Sequence, residues 1–444
     1  MPAWVLGPYI GTMSKKPREG WIIAGRLDGR DVYPQPLAAV AGLPHLLRQA
    51  CALSAAGIER ITVFWVGPGD LPDLSAIAAD SRMAGRRFEL VTEPPGASGD
   101  SSDDAILVVR GDRIFHRDTP TVLAQAAERT ASAVRLRGDE HDGAFVVSRR
   151  VASRLCAAAG RDGGIADEIA SLAAAGTMTE VKPPWRGFTI AAHDRRSLRQ
   201  AERLLVTSLR KIGDGLMSRW LNRRFSLFLS HYLCRTPIKP NHITAVCFLS
   251  ALCGGIVMAQ GGYAAAVVGI LLFEFGSLLD GCDGELSRLK YQGSRLGQWM
   301  DTVTDDAGNV FFLIGASVNL HQAGIAWALP VGAIAVIAFV TTQSTQYYFL
   351  LKVYDSGDLA AIPWAFQGPP EVPPDEDERS LLHRIVANLP KVLRRDFFLS
   401  VFVVLVIAGR LDAALLIFAT GATIFFAVLM IQIIRLRPSA TAGQ

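Results

Sequence analysis

Residues 280–305 read DGCDGELSRLKYQGSRLGQWMDTVTD and carry four aspartates in two pairs. Asp280 and Asp283 stand three apart at the end of one apolar run, and Asp301 and Asp305 stand four apart at the start of the next. On helices, such spacings put both members of a pair on one face. A chain that leaves a bilayer after Asp283 and re-enters near Asp301 sets two helix ends side by side, so four carboxylates converge on one small volume. Divalent cations are its natural occupants. Acids beside an apolar run are ordinarily solvated charges at a membrane surface, but two features weigh against that here. Moving an aspartate toward the bilayer centre costs roughly 2.5–3.5 kcal/mol on insertion scales, so paired carboxylates are seldom kept there without a partner. Glycines also fall where a ligand needs backbone access, with Gly281 and Gly284 flanking Asp283 and Gly297 one helical turn before Asp301.

The order Asp280, Asp283, Gly284, Ser287, Arg288, eight residues, Gly297, Asp301, Asp305 resembles the signature of the CDP-alcohol phosphotransferase family of membrane enzymes. That signature is D-x-x-D-G-x-x-A-R, eight residues, G-x-x-x-D-x-x-x-D, and the chain departs from it only where Ser287 replaces an alanine of nearly the same size. The resemblance implies transfer of a phosphorylated alcohol from a CDP-linked donor to the hydroxyl of a second alcohol, with release of CMP. It implies that Asp280, Asp283 and Asp301 are metal ligands and that Asp305 is the general base and also a ligand. Gly284, Arg288 and Gly297, together with Asp280 and Asp283, would hold the CDP part. Magnesium or manganese in a two-metal site is the expected cofactor, because an all-oxygen site selects hard cations. The resemblance also implies a homodimer. Arg295, Arg394 and Arg395 are candidates for binding an acceptor phosphate, although each also fits as ordinary positive charge beside a membrane.

Half of the 444 residues are hydrophobic and the mean hydropathy is +0.27, the balance of a membrane protein with a soluble part. The net charge of +4 is modest, and no nucleic-acid partner is expected. Six cysteines, at 51, 156, 234, 247, 253 and 282, form no C-x-x-C pair, so they read as small buried hydrophobes in a reducing compartment rather than a disulfide or zinc framework. The N-terminal MPAWVLGPYIGTMSKKPREG has no basic residue before its short apolar run and no small-residue cleavage site, so it does not read as a signal peptide.

From Trp21 to Leu205, short β-rich runs alternate with amphipathic stretches, the pattern of an α/β domain. Strands are expected at 21–24, 61–66, 88–91, 105–109 and 143–147, with a helix over 44–56 that stops at Gly57. The segment AGRLDGRDVYPQPLAAVAGLPHLLRQACALSAAGIERITVF resembles the nucleotidyltransferases that make nucleotide-diphosphate sugars and alcohols. Against that family, Gln35 stands where a lysine would meet the triphosphate, and the loop holds two glycines, Gly25 and Gly29. Asp112 matches the family's metal-binding aspartate, while the second such position falls on Thr189, Ile190 and Ala191, followed by His193 and Asp194. Nucleotidyl transfer needs a cation held between carboxylates to neutralise the triphosphate. The expectation is a fold retained without its original activity, unless a shifted strand lets Asp194 complete the site.

Residues 208–239 are dense in Arg and Lys, interleaved with Leu216, Trp220, Phe225, Phe228 and Leu229. This fits a helix lying in the lipid interface, and equally a linker helix to the soluble domain. Apolar runs follow at 243–259, 263–285, 299–320, 325–349, 395–409 and 412–434. Lys and Arg gather in the loops after the second and fourth runs, so the positive-inside rule puts both termini and the aspartates on the cytoplasmic face of an inner membrane. The loop 355–378, with GPPEVPPDEDE, reads as a flexible cytoplasmic excursion or, as its composition favours, plain disorder. The polar end of the fourth run, residues 341–346, suits either a cavity wall or hydrogen bonding across helices.

The chain thus reads as a Rossmann-like, cytidylyltransferase-type α/β cytosolic domain over 1–205, an amphipathic juxtamembrane helix over 206–240, and an all-α six-helix transmembrane bundle over 241–437. The expected partners are a CDP-linked donor, an acceptor alcohol or alcohol phosphate, and membrane lipid. A phospholipid-type reaction is favoured, with a polar-product reaction from CDP-inositol and a non-catalytic scaffold as alternatives. A transporter would show internal repeats or matched broken helices, and neither is read here.

Overall fold

The computed structural model describes residues 16–27, 30–31, 37–67, 71–94, 104–130, 133–138, 143–191, 194–210, 222–354 and 395–436. Gln35, Gly29, His193, Arg394, residues 211–221 of the basic stretch and the proline-rich loop lie outside them. The chain forms two compact units, Met1–Leu209 with Cys234–Thr236 and Leu289–Tyr291, and Arg210–Leu233 with Pro237–Arg288 and Gln292–Gln444.

The first unit is built on an eight-stranded sheet in the order Met178–Val181, Ala133–Leu136, Ala144–Ser148, Ala105–Arg110, Glu19–Leu27, Arg60–Val66, Arg87–Val91, with Arg30–Asp31 paired beside Glu19–Leu27. The four strands from Ala105–Arg110 to Arg87–Val91 are parallel, and Ala144–Ser148 runs antiparallel to Ala105–Arg110. Side chains alternate across the sheet, so Ile22 and Ala24 enter one core with Val63 and Leu107, while Trp21 and Ile23 enter the other with Phe64 and Ile106. Helices His45–Ala55 and Thr119–Ala127 cover the first face, and Arg149–Ala158 and Gly164–Ala174 cover the second. Burial on both faces is why these strands are near-continuous apolar runs that the sequence displays openly.

All five expected strands and the expected helix are present, the first strand longer at both ends. Among the strands that were not expected are Ala133–Leu136 and Met178–Val181. They lie at the sheet edge, where Arg135 faces Glu180 in register and forms an ion pair with it. Charges on the outward face break up the apolar pattern by which a strand is recognised.

In the second unit, six helices fall on the six expected apolar runs: Pro240–Met258, Tyr263–Lys290, Arg295–Gln322, Ala328–Phe349, Arg395–Ile407 and Leu411–Leu436. Among the described residues, four are long and apolar enough to cross a membrane, the first, second, fourth and sixth. Arg295–Gln322 carries Asp301, Asp305 and Asp306 in its first half, and Arg395–Ile407 is 13 residues long, so neither meets that measure. The helix Arg223–Leu233 precedes them and exposes Phe225, Phe228 and Tyr232.

Close helix packing fixes the region around the aspartates. A Cβ on Gly315 would come within 2.7 Å of the Gly255 carbonyl oxygen, and one on Gly269 within 2.8 Å of the Gly254 oxygen, so Pro240–Met258 lies backbone to backbone against both aspartate-bearing helices. Asn319 ties the far end by donating to Met258 O at 2.8 Å and Gly262 O at 3.1 Å. Deeper in the bundle, Phe312 stacks on Phe402 at 5.4 Å and meets Phe273 edge-on at 5.8 Å, joining three helices through one aromatic cluster.

Candidate active site at the aspartate helices

Ser294 caps the Arg295–Gln322 helix by accepting a hydrogen bond from Gly297 N at 2.9 Å, which sets the phase of the helix that follows. Asp301 and Asp305 then lie one turn apart on its surface, facing the end of Tyr263–Lys290 that carries Asp280 and Asp283. Carboxylate oxygens of Asp280, Asp301 and Asp305 all lie within 4.8 Å of one another, and each residue is half-buried. Three carboxylates this close repel strongly unless a cation sits among them, and an all-oxygen donor set fits magnesium or manganese.

Asp283 behaves differently. It is buried, its Oδ2 accepts a 2.7 Å hydrogen bond from the Thr244 hydroxyl, and its Oδ1 accepts from Gly284 N. The structure therefore gathers three of the four aspartates and turns the fourth toward the neighbouring helix.

The two pairs also separate two cavities. Asp283 and Asp301 line a small polar pocket of about 110 Å³ with Asn241, Ser287, Gly284 and Gly297. A Cβ on Gly297 would lie 3.2 Å from Asn241 Oδ1, so the glycine keeps that wall open. Asp280 and Asp305 line a larger cavity of about 630 Å³ that runs into the bundle past Phe312, Phe402 and Phe418. Each aspartate pair thus contributes one member to each cavity.

Arg288 is half-buried, one turn beyond Gly284, where a methyl group would stand 3.2 Å from its guanidinium. Arg295 is exposed and is not among the described residues lining either cavity. Arg395 opens a helix, but its side chain, like all of Arg394, lies outside the described residues.

Several site residues were missed by sequence reasoning. Thr244 and Asn241 sit on the preceding helix, where nothing in their spacing ties them to the aspartates. Asp306 lines the larger cavity and accepts hydrogen bonds from Gln343, at 2.6 Å, and from Tyr347. The doubled acid in TVTDDAG was its signal. For the polar end of the fourth run, both expected uses occur: Gln343 lines the cavity and bonds across helices, while Thr342 and Thr345 donate to carbonyls of their own helix. Glu285 is fully buried and takes hydrogen bonds from Arg223 at 2.9 Å and Ser226 at 2.7 Å. Arg223, one of the arginines of the basic stretch 208–239, is thus turned inward.

In the first unit, Asp112 is gripped by its neighbour Arg110, with Nε donating to Oδ1 at 3.0 Å and Nη2 to Oδ2 at 2.8 Å. Burial works to raise the Asp112 carboxyl, but the Arg110 hydrogen bonds and charge outweigh it and hold it below the usual range. Thr189–Ala191 pairs antiparallel with Arg113–Phe115, with Ala191 opposite Arg113, so the strand next to Asp112 brings no carboxylate. Asp194 caps the helix Arg195–Thr207, accepting from Ser197 N at 2.7 Å.

Residues 238–363 match the family model for CDP-alcohol phosphatidyltransferase. Among curated proteins, the chain is 33% identical over 117 residues to a "Bifunctional IPC transferase and DIPP synthase" of Aquifex aeolicus, 26% of each chain. It is 26% identical over 331 residues to a protein of the same name from Rubrobacter xylanophilus, covering 64% of this chain and 73% of that one. The first of these matches spans about a quarter of the relative's length. A solved structure assigned as a glucose-1-phosphate thymidylyltransferase from Bacillus anthracis is similar at 18% identity and a TM-score of 0.34, covering 42% of this chain and 94% of that one. The C-terminal region of the chain, with its paired aspartates, carries a CDP-alcohol phosphatidyltransferase domain.

Proposed function

We propose that the second unit moves a phosphorylated alcohol from a CDP-linked donor to the hydroxyl of an acceptor alcohol and releases CMP. The observation that carries this reading is the gathering of Asp280, Asp301 and Asp305 between a small polar pocket and a larger apolar cavity. The polar pocket suits the donor's CMP part, with Gly284 and Gly297 giving backbone access and Arg288 beside them. Asp280, Asp301 and Asp305, joined by Asp283, are the proposed ligands of magnesium or manganese. A divalent cation, when bound, neutralises the donor's pyrophosphate and the charge that grows on departing CMP.

Asp305 faces the larger cavity, from which the acceptor approaches, and accepts the proton of the acceptor hydroxyl. The acceptor oxygen then bonds to the phosphorus bearing the donor alcohol. The bond from that phosphorus to the bridging oxygen breaks, and CMP leaves with the electron pair. The aromatic lining of the larger cavity supports a substrate with a hydrocarbon chain, hence a phospholipid-type reaction. The names of the relatives favour the second reading, a polar product made from a donor such as CDP-inositol.

In keeping with this, the bundle is proposed to span the membrane with six helices over 241–437, as a homodimer, with the aspartates and both termini cytoplasmic. For the first unit we infer a nucleotidyltransferase-like fold without nucleotidyl transfer, since Arg110 already neutralises Asp112 and Asp194 serves as a helix cap. The test is CMP release by purified protein across CDP-diacylglycerol and CDP-inositol donors and polar acceptors, with and without EDTA. Release that survives EDTA unchanged, or no release with any pair, would end this reading.

A further inference from the structure

Two helices present matching ladders to the larger cavity. On Tyr263–Lys290 the rungs are Asp280, Ser277 and Phe273, and on Arg295–Gln322 they are Asp305, Asn309 and Phe312, each one turn from the next. At the head, carboxylate oxygens of Asp280 and Asp305 lie within 4.8 Å of each other, and at the foot the Phe273 and Phe312 rings meet edge-on at 5.8 Å. Ser277 and Asn309 form the middle rung between these two contacts. Both are half-buried, and among the described residues neither side chain makes a hydrogen bond. Elsewhere in the bundle such groups are matched. Ser317, Thr342 and Thr423 each donate to the carbonyl one turn back, at 2.6, 2.8 and 2.8 Å, and Asn319 donates to Met258 O and Gly262 O. A polar group left bare beside aromatic rings is unfavourable until something hydrogen-bonds it, so the middle rung calls for a polar group on whatever fills the cavity.

We propose that Ser277 and Asn309 are specificity-determining residues that donate hydrogen bonds to an ester carbonyl of the donor's lipid, so that the site reads an acyl ester and not only a hydrocarbon chain. The assignment rests on the phosphotransfer reading above in its phospholipid form. With the donor's CMP part in the polar pocket, its phosphorus lies at the carboxylates and its alcohol continues down the larger cavity. The middle rung is about 4.5–6 Å below the upper one, the rise of three or four helical residues. In a diacylglycerol the ester carbonyls follow the phosphorus by a few bonds, and the hydrocarbon chains follow the esters. That order of phosphate, carbonyl and chain is the order of the rungs: carboxylates with their cation, hydrogen-bond donors, aromatic rings. A serine hydroxyl offers one donor and an asparagine amide two, all suited to a carbonyl oxygen. A wholly polar alcohol would leave the aromatic foot unmatched.

The experiment measures CMP release, with polar acceptors present, from CDP-diacylglycerol, from its dialkyl ether analogue of equal chain length and from CDP-inositol, for wild type, Ser277→Ala and Asn309→Leu. The ether keeps the chains and the pyrophosphate but lacks the carbonyl oxygens. Wild type is expected to favour the ester donor over the ether by about tenfold or more in kcat/KM, because a site built to hydrogen-bond a substrate group rejects the analogue lacking it. In each variant that preference should fall toward parity, chiefly through an ester KM raised roughly tenfold rather than through kcat. Ser277→Ala is a small change, which keeps the test valid if Asn309→Leu folds poorly. Proportional losses for ester and ether donors would make the two residues mere packing groups and overturn the assignment. So would an ester preference unchanged in both variants, or a wild type that uses ester and ether alike or accepts CDP-inositol alone. No CMP release from any of the three donors instead sinks the phosphotransfer reading itself, and this assignment with it.

Discussion

The Thr244 hydroxyl donates to Asp283 Oδ2 at 2.7 Å, from one helix of the bundle to the next, within the wall of the small polar pocket. A hydrogen bond to a charged group contributes about 1.5–3 kcal/mol. Thr244→Val keeps the shape and removes the donor, so CDP-linked donor affinity should fall roughly tenfold or more, and Thr244→Ser should restore most of it. Isothermal titration in detergent with magnesium present measures this, and equal affinity in all three proteins would remove Thr244 from the site.

Arg223 and Ser226 both serve Glu285, whose side chain is fully buried. Breaking such a pair from one side leaves an uncompensated charge inside, at a cost of about 3–5 kcal/mol, whereas replacing both partners by apolar groups is often close to neutral. Arg223→Ala should therefore lower the thermal midpoint in detergent sharply, and Arg223→Met with Glu285→Leu should recover most of the loss. A midpoint unchanged in Arg223→Ala would show that the pair is not sustained in solution.

His45 gives the first unit a pH dependence. It is buried, and loss of solvent pulls its imidazole from 6.5 down to about 4, against the opposing hydrogen bond to the Gly111 carbonyl. The unfolded chain binds the proton more readily, so stability is full above pH ~6.5 and is lost as pH falls toward 4, by about 3 kcal/mol across that window. Hydrogen exchange of the amides in His45–Ala55, corrected for intrinsic rates, should show protection dropping over this range in wild type. In His45→Gln, where the amide can still donate to Gly111, the drop should be smaller by that amount; identical profiles would assign the dependence to other groups.

The first unit should not release pyrophosphate from CTP and an alcohol phosphate. Arg110 occupies both oxygens of Asp112, and the paired strand offers Thr189, Ile190 and Ala191 where a second carboxylate is needed. Pyrophosphate release that disappears in Asp112→Ala would overturn this.

What the sequence displayed openly was whatever a single periodicity or spacing encodes. The inner strands are apolar throughout because both faces are covered, and the aspartates stand at helical spacing beside apolar runs. The edge strands around Arg135 and Glu180 were hidden because their outward residues are charged. Asp306, Thr244 and Glu285 escaped for another reason: their partners lie on other helices, at sequence separations of 37 to 62 residues. Nor could spacing alone show that Asp283 turns toward Thr244 while the other three aspartates gather, since that depends on how closely Gly254 and Gly269 let their two helices approach.

The central claim is that Asp305, besides standing in the cation site, takes the acceptor proton, while Asp280, Asp283 and Asp301 supply the main hold on cation and donor. Asp305→Asn keeps the size and an oxygen but removes the basic site. The most direct measurement pairs donor affinity with CMP release for Asp305→Asn and Asp280→Asn in magnesium. The account predicts that Asp305→Asn binds the CDP-linked donor nearly as well as wild type while turnover falls by about 10²–10⁴-fold, the usual contribution of a general base. Asp280→Asn should lose donor binding as well. Wild-type turnover in Asp305→Asn, or an equal loss of donor binding in both variants, would contradict it.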